Sequence, residues 1–282
     1  MTATAAVTQV RRVGMVGLGK MGLPMARHVA KAGFEVIGID TNPAAQAAAR
    51  AAGIKLAPTP AAIARETDFV IVVVGFDKEA EAVILGPDGI ANGARPGLIV
   101  GVASTVAPTT MKKLARRLEG SGIVLLDMPL TRGEWAAEAA QMLVMAGGDQ
   151  AAFEACKPVM QCFADAIFHV GDLGAGQVGK MVNNLILWAC ISANDEAFKL
   201  ADGLGVDRDR LRTALLESSA GNWAMKMQIQ KQPMPWAEKD MAIVLAEADK
   251  LRLPVPLCGV VAQTVKTVKL DHGWPTPSSG ED

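Results

Sequence analysis

The sequence predicts an α/β fold in which a doubly wound parallel sheet is followed by an all-helical C-terminal domain. In the first half of the chain, short runs rich in β-branched residues alternate with alanine-rich stretches, which is typical of parallel sheets with helical crossovers. After residue 170 the composition favours helices, and no convincing strand follows. We therefore predict two domains, 1–170 and 171–282, which meet near the glycine-rich stretch "GDLGAG".

The predicted strands are near-continuous apolar runs, as expected for strands that are buried on both faces. In chain order they are "RRVGMVGLG", "EVIGID", "DFVIVVV", "GLIVGVAS", "IVLLDMP" and "MLVMAGG". The helices predicted between the first five of these strands span 21–32, 43–52, 78–85 and 109–118. The helices predicted for the C-terminal domain span 176–204, 207–219, 237–251 and 255–270.

The composition excludes several classes of function. Half of the 282 residues are hydrophobic and the formal net charge is −1, so nothing favours binding to nucleic acid or to an acidic membrane surface. No run of about 18 apolar residues predicts a transmembrane helix, and no signal peptide is recognisable. The cysteines lack metal-ligand spacing and are expected to be free thiols; they are Cys156, Cys162, Cys190 and Cys258. We predict a cytoplasmic protein with no metal site.

A glycine pattern after the first predicted strand indicates a dinucleotide site. Gly17, Gly19 and Gly22 form a Gly-x-Gly-x-x-Gly pattern between that strand and the next helix. The first glycine permits a tight turn, the second lets the backbone approach a pyrophosphate, and the third allows close packing of helix on strand. The helix N-terminus offers free N–H groups to the phosphates. We include the intervening Leu18 and Met21 among the predicted cofactor contacts.

The end of the second predicted strand bears on the choice of nucleotide. Asp40 lies about twenty residues beyond the glycine pattern, where a carboxylate accepts hydrogen bonds from the ribose hydroxyls of NAD and repels the 2′-phosphate of NADP. The stretch "DTNP" at 40–43 contains no arginine or lysine that would favour NADP. The sequence therefore predicts NAD as the cofactor in preference to NADP.

A lysine in the second half of the chain is a candidate for proton transfer. The stretch "GQVGKMVNN" holds Lys180 and Asn184 four residues apart, on one face of a predicted helix, whereas Asn183 points about 100° away. The chain has no tyrosine, which excludes chemistry that depends on a catalytic tyrosine–lysine pair. Its histidines form no cluster; they are His28, His169 and His272. From the residues alone, Lys180 is either a surface charge or a reactive group.

Apolar surroundings decide whether a lysine can act as a base near neutral pH. An ordinary lysine has a pKa of about 10.4, and burial in an apolar site lowers that pKa. The neighbours of Lys180 are consistent with such surroundings; they are Val178, Gly179, Met181 and Val182.

Five motifs in order resemble the β-hydroxyacid dehydrogenase family, which includes 3-hydroxyisobutyrate dehydrogenases, tartronate semialdehyde reductases and sulfolactaldehyde reductases. They are "GLGKMGLPMA" at 17–26, "STVAPTT" at 104–110, "DMPLTRG" at 127–133, "GAGQVGKMVNN" at 174–184 and "EKDMAIVLAEA" at 238–248. The resemblance extends over nearly the whole chain. It implies a Rossmann-like domain that a long helix joins to an all-helical domain, and a homo-oligomer, either a dimer or a tetramer.

The resemblance also implies roles for individual residues. Lys180 matches the lysine that family members use as the acid/base, and Asn184 matches the residue that orients the substrate. Thr105 lies in the stretch that family members place near the nicotinamide. Lys239 is implied to contact the cofactor or to cover the nicotinamide. Thr131 and Gly133 fall in the substrate loop, where the threonine hydroxyl can donate a hydrogen bond.

The substrate loop departs from the family pattern at one position. Family members commonly carry Ser-Gly-Gly where this chain has Thr131, Arg132 and Gly133, although sulfolactaldehyde reductases resemble it in having an arginine there. A guanidinium in the pocket would suit a carboxylate, sulfonate or phosphate. The alternative is that Arg132 turns outward and pairs with an acid such as Glu134. We favour the pocket, and with it a compact anionic substrate.

The predicted function is that of an NAD-dependent oxidoreductase. It would interconvert a small anionic β-hydroxy acid, or a hydroxy sulfonate, and the corresponding aldehyde. Two alternatives are an imine reductase-like enzyme, whose members typically lack a lysine at the position of Lys180, and a non-catalytic NAD-binding sensor.

Overall fold

The computed structural model describes residues 9–228 and 233–276, and it divides the chain into two compact units, Met1–Lys180 and Met181–Asp282. The first unit is built on a nine-stranded sheet. Its strands are β1 Arg12–Val16, β2 Glu35–Ile39, β3 Lys55–Leu56, β4 Phe69–Val72, β5 Ile99–Val102, β6 Val124–Asp127, β7 Leu130–Thr131, β8 Met142–Gly148 and β9 Ala164–Gly171. The predicted domains 1–170 and 171–282 stay a prediction.

The strand order confirms the Rossmann-like, doubly wound α/β fold. Strands β3, β2, β1, β4, β5 and β6 lie side by side in this order, and each neighbouring pair is parallel. Strand β8 pairs antiparallel with β6 and β7 and parallel with β9, so the sheet is mostly, but not purely, parallel. From β1 the chain first builds outward through β2 and β3 and then returns to β4, which makes the gap between β1 and β4 a topological switch point.

The helices of this unit cover both faces of the sheet. They are α1 Gly22–Lys31, α2 Pro43–Ala51, α3 Pro60–Glu66, α4 Asp77–Leu85, α5 Pro108–Arg117, α6 Glu134–Glu138 and α7 Gln150–Met160, with a 3₁₀ turn at Ile90–Asn92. Phe69 and Ile71 on β4 belong to one apolar cluster, whereas Val70 and Val72 belong to another. Because side chains alternate between the faces of a strand, both faces of the central sheet are buried.

Three strands and three helices of this unit were absent from the sequence prediction: β3, β7, β9, α3, α6 and α7. Five of them have 2 to 8 residues, too few for a clear apolar period. The helix α7 contains Pro158, a residue that disfavours a helix interior. In β9 most residues are only partly buried or exposed, so this strand lacks the apolar run that identified the central strands.

The second unit is helical in the residues described. The 29-residue helix α8, Ala175–Gly203, begins in the first unit and continues into the second. Four more helices follow: α9 Arg208–Leu216, α10 Trp223–Met227, α11 Ala237–Lys250 and α12 Pro256–His272. Trp188, Met241 and Val265 are members of its apolar core. No helix in the described part of the chain is long and apolar enough to cross a membrane.

Candidate active site

The glycine-rich loop after β1 has the geometry that a dinucleotide requires. Gly17 has φ +95°, and a Cβ atom there would lie 2.0 Å from the carbonyl oxygen of Val73, which follows β4. A Cβ on Gly22 would lie 1.9 Å from the carbonyl oxygen of Gly17. Both positions therefore admit only glycine. A Cβ on Gly19 would meet nothing within 4 Å, so the protein itself leaves open space beside the residue that is predicted to face the pyrophosphate.

Asp40 is fixed at the carboxyl end of β2, directly beside this loop. Its Oδ2 accepts a hydrogen bond from the backbone N–H of Leu18 at 2.6 Å, and its Oδ1 accepts one from Asn42 at 2.7 Å. Each carboxylate oxygen keeps a further lone pair with which it can accept a ribose hydroxyl. The side chain of Leu18 is buried, and Met21 occupies the N-cap of α1. The first turn of α1 carries no acidic residue that would repel a phosphate. The loop therefore fits a nicotinamide dinucleotide.

The loop after β5 is fastened at both ends. The hydroxyl of Ser104 accepts a hydrogen bond from the N–H of Val74 at 2.7 Å. Asp77 accepts hydrogen bonds from the N–H of Ala107 at 2.8 Å and from the hydroxyl of Thr110 at 2.6 Å. Thr105 lies between these anchors and is partly buried. The backbone around Thr105 is thus held at the carboxyl edge of the sheet, where ligands of doubly wound folds bind.

The predicted substrate loop has an unusual backbone. Thr131 is buried in β7, opposite Leu143 of β8. The next two residues, Arg132 and Gly133, have φ values of +80° and +82°. Glycine adopts this region without strain, but a residue with a side chain does so at a cost of about 1–3 kcal/mol. A strained non-glycine residue in a loop of this kind is characteristic of functional sites.

The guanidinium of Arg132 already has partners within the first unit. Its Nη1 lies 2.5 Å from Oδ1 of Asp165 on β9 and donates a hydrogen bond of 2.7 Å to the carbonyl oxygen of Gln141. The sequence left open an outward arginine that pairs with an acid such as Glu134. In the structure the paired acid is Asp165, and Glu134 lies 3.2 Å from Nζ of Lys20. A substrate role for Arg132 stays a prediction, and any anion would share the guanidinium with Asp165.

One residue that the sequence did not single out, Asp127, holds the start of α8. Asp127, at the end of β6, is fully buried and accepts hydrogen bonds from the N–H groups of Gly174 and Gln177, each at 2.7 Å. Burial raises the pKa of this carboxyl group, while the backbone N–H donors oppose that rise. A signal was present in the sequence, since Asp127 ends an otherwise apolar strand and a buried carboxylate requires donors.

Lys180 and Asn184 lie one turn apart on α8, as the sequence predicted. Lys180 is partly buried. Its neighbours Val178 and Val182 do not enclose it, because they are 43% and 47% exposed and point to the opposite side of the helix. Asn184 is 2% exposed, its Oδ1 accepts a hydrogen bond from Asn183 at 3.1 Å, and within the described residues its Nδ2 has no acceptor.

Lys239 lies in the first turn of α11. Its Nζ lies 5.5 Å from the ring centre of Trp236. The next residue, Asp240, is buried and accepts a hydrogen bond from the indole N–H of Trp188 at 3.1 Å, which ties this turn to α8 within the second unit. The implied contact of Lys239 with a cofactor stays a prediction.

The described residues contain no group of three or more histidine, cysteine, aspartate or glutamate side chains that could hold a metal ion. The four cysteines are free, and burial raises the pKa of Cys156, Cys162 and Cys258.

The fold and the glycine-rich loop define a nicotinamide-dinucleotide-binding oxidoreductase, and the comparisons with known proteins agree. Residues 12–171 match the NAD-binding domain of 6-phosphogluconate dehydrogenase. Residues 174–274 match the family described as the NAD-binding domain of NADP-dependent 3-hydroxyisobutyrate dehydrogenase.

The chain belongs to the β-hydroxyacid dehydrogenase family. It is 32% identical to 3-hydroxyisobutyrate dehydrogenase from Pseudomonas aeruginosa, over 90% of each chain. It is 31% identical to L-threonate dehydrogenase from Cupriavidus necator, over 90% of this chain and 89% of the relative. Among solved structures, Mycobacterium tuberculosis 3-hydroxyisobutyrate dehydrogenase with L-serine has a TM-score of 0.84 at 26% identity, over 94% of this chain and 96% of that one. An imine reductase from Streptomyces aurantiacus shares the fold alone, at 19% identity.

Proposed function

We propose that the protein is an NAD(H)-dependent dehydrogenase that interconverts a small anionic β-hydroxy acid, or a hydroxy sulfonate, and the corresponding aldehyde. Relatives named for 3-hydroxyisobutyrate, threonate and serine support a small hydroxylated acid as substrate. Bound NAD would supply hydride transfer, and the side chains would supply orientation and proton transfer.

The single observation that carries the proposal is that the amide of Asn184 is buried and its Nδ2 lacks a hydrogen-bond acceptor in the described residues. Asn184 lies one turn from Lys180. Leaving a buried donor unsatisfied costs about 1–3 kcal/mol. A substrate carboxylate or hydroxyl would accept that hydrogen bond, and it would place the substrate within reach of the lysine.

Lys180 is the proposed acid/base. When the alcohol is oxidised, its Nζ accepts the hydroxyl proton as the hydride leaves the carbon, and it returns that proton in the reverse reaction. The hydroxyl of Thr131, the backbone at Gly133 and the guanidinium of Arg132 are the proposed contacts to the substrate. Lys239 and Thr105 are assigned to the cofactor.

NAD is the proposed cofactor in preference to NADP, because the carboxylate of Asp40 would repel a 2′-phosphate. The backbone N–H groups of Leu18 and Asn42 hold that carboxylate beside the glycine-rich loop. The dissociation constants of NADH and NADPH, measured by fluorescence titration, test this choice.

The test of the function is turnover with a panel of small anionic hydroxy acids and semialdehydes, followed at the NADH absorbance band. We expect turnover with at least one compound, and a loss of kcat of about 10³-fold or more in Lys180→Ala. Lys112→Ala, which removes an exposed lysine from α5, is the control and should keep the activity.

The two alternatives make different predictions in this assay. A sensor would bind NADH but turn over no compound, and an imine reductase would reduce cyclic imines in preference to semialdehydes. Full turnover by Lys180→Ala would remove the acid/base assignment.

A further inference from the structure

The N-terminus of α8 is attached to the carboxyl edge of the sheet by one buried carboxylate. Oδ1 of Asp127 accepts the N–H of Gly174, and Oδ2 accepts the N–H of Gln177, each at 2.7 Å. All of these atoms belong to the unit Met1–Lys180. The two oxygens of Asp127 therefore fix two points on the backbone, three residues apart, at the start of the helix that carries Lys180.

The side chain of Gln177 makes a second attachment. It is 1% exposed, its Nε2 donates a hydrogen bond of 2.7 Å to the carbonyl oxygen of Ser104, and its Oε1 accepts the N–H of Val106 at 3.2 Å. These two backbone groups flank Thr105. Gln177 thus joins α8 to the backbone on either side of the residue predicted to lie near the nicotinamide.

The packing around Asp127 leaves little freedom. A Cβ on Gly176 would lie 2.3 Å from the carbonyl oxygen of Met145 and 2.8 Å from Oδ2 of Asp127. A Cβ on Gly147 would lie 2.7 Å from Oδ1 of Asp127. The helix start is therefore seated directly on β6 and β8, with no space for a side chain at Gly176 or Gly147.

We propose that Asp127 and Gln177 are positioning residues that fix Lys180 relative to the loop at Thr105 and to the substrate loop that begins at Thr131. Gln177 precedes Lys180 by three residues, so the two side chains lie on the same side of the helix one turn apart. Thr131 follows Asp127 by four residues, so one carboxylate joins the strand that enters the substrate loop to the helix of the lysine. This inference rests on the proposed function, because it concerns the placement of the proposed acid/base.

The test compares Asp127→Asn and Gln177→Leu with the unmodified protein. Asparagine has nearly the same shape but only one acceptor oxygen, so it loses one of the two attachments, and leucine removes both side-chain bonds of Gln177. Each variant should lower kcat by about 100-fold, since a displacement of about 1 Å costs that much. The KM of the substrate and the dissociation constant of NADH should change less than about threefold, because the lost interaction acts on the transition state.

A matched control separates positioning from stability. Asp149 caps α7 by accepting the N–H of Ala152 at 2.8 Å, and α7 carries none of the proposed site residues. Asp149→Ala should lower the melting temperature and leave kcat unchanged. The far-ultraviolet circular dichroism of every variant shows whether it folds, and Gln177→Leu carries the test should Asp127→Asn fail to fold.

The double variants provide the decisive readout. In a Lys180→Ala background, Asp127→Asn should cause no further loss of the residual rate, because the group it positions is gone. The inference would be overturned if Asp127→Asn and Gln177→Leu both fold and both keep kcat within twofold of normal, while Lys180→Ala loses its activity as expected. Full activity in Lys180→Ala would instead overturn the proposed function, and this inference with it.

Discussion

The glycine-rich loop after β1 and the substrate loop after β7 both contain residues with positive φ angles, but they hold these angles in different ways. In the first, the positive φ falls on Gly17, and an aspartate at the end of a neighbouring strand holds the backbone. In the second, it falls on Arg132 as well as on Gly133, and the arginine side chain pairs with Asp165, 33 residues further along the chain. In the first loop a glycine adopts the positive φ without strain, whereas in the second an arginine adopts it and its side chain is held by a distant acid.

The largest effect on stability and on NADH binding is expected at Gly17, where the first loop has no space for a side chain. Gly17→Ala places a methyl group 2.0 Å from the carbonyl oxygen of Val73, so we expect a loss of about 3 kcal/mol or more in the free energy of unfolding, and loss of NADH binding. Gly33 has the same φ of +95° but open space around its Cβ position. Gly33→Ala should therefore cost only about 1 kcal/mol by urea denaturation. Equal losses of stability in the two variants would mean that the strained φ, and not the close approach of Gly17 to Val73, makes alanine unfavourable at Gly17.

The carboxylate beside the first loop should determine the choice of nucleotide. Asp40→Ala removes an acceptor and a negative charge, so we expect NADH binding to weaken about tenfold and the preference over NADPH to disappear. Asp40→Asn keeps an oxygen for the N–H of Leu18 and should bind NADH more tightly than Asp40→Ala does. Fluorescence titration with both nucleotides measures these effects, and an unchanged preference in both variants would contradict the role of Asp40.

Two substitutions of Arg132 separate the effect of backbone strain from the effect of charge in the second loop. Arg132→Gly and Arg132→Ala both remove the pair with Asp165, but only glycine relieves the positive φ. The glycine variant should therefore be more stable than the alanine variant by about 1 kcal/mol. If Arg132 binds the substrate anion as proposed, KM should rise about tenfold in both variants. Asp165→Asn should then lower KM, since it frees the guanidinium. A KM that stays the same in all three variants would leave Arg132 with a structural role alone.

The smallest effect on stability is expected at the start of β1, where Asp68 contacts Arg11 and Arg12. Burial tends to raise the pKa of Asp68, but the N–H groups of Arg12 and Arg11 and the charges of Arg12 and Arg95 outweigh burial, so the pKa is lowered overall. A lowered pKa means that Asp68 stabilises the fold above its unfolded pKa of about 3.9 and loses this contribution as the pH falls through the folded value. Asp68→Asn should therefore cost about 1 kcal/mol at pH 7, and this cost should fall as the pH drops through the folded pKa. A cost that is independent of pH would exclude the carboxylate charge as its source.

Much of the first loop and of the fold could be read from the sequence because the signals are local. Glycine spacing, apolar runs and helical periodicity act over a few residues, and they correctly indicated β1, β2, β4, β5, β6 and β8 and the start of α8. The short or partly exposed elements β3, β7 and β9 lack such signals. Of the apolar neighbours named around Lys180, Val178 and Val182 are exposed, because residues two positions away in a helix point to its other side. The apolar surroundings of Lys180 stay a prediction.

The sequence by itself predicted the doubly wound sheet, the dinucleotide loop and the candidate lysine, because apolar runs, glycine spacing and the motif around Lys180 each occupy short stretches of the chain. Only the tertiary structure decided which groups hold these parts in place. It joins Asp127 to Gly174 across 47 positions, Ser104 to Gln177 across 73 and Arg132 to Asp165 across 33. A hydrogen bond between such distant residues leaves no periodic trace in the sequence, since its geometry exists only once the strands and helices have packed.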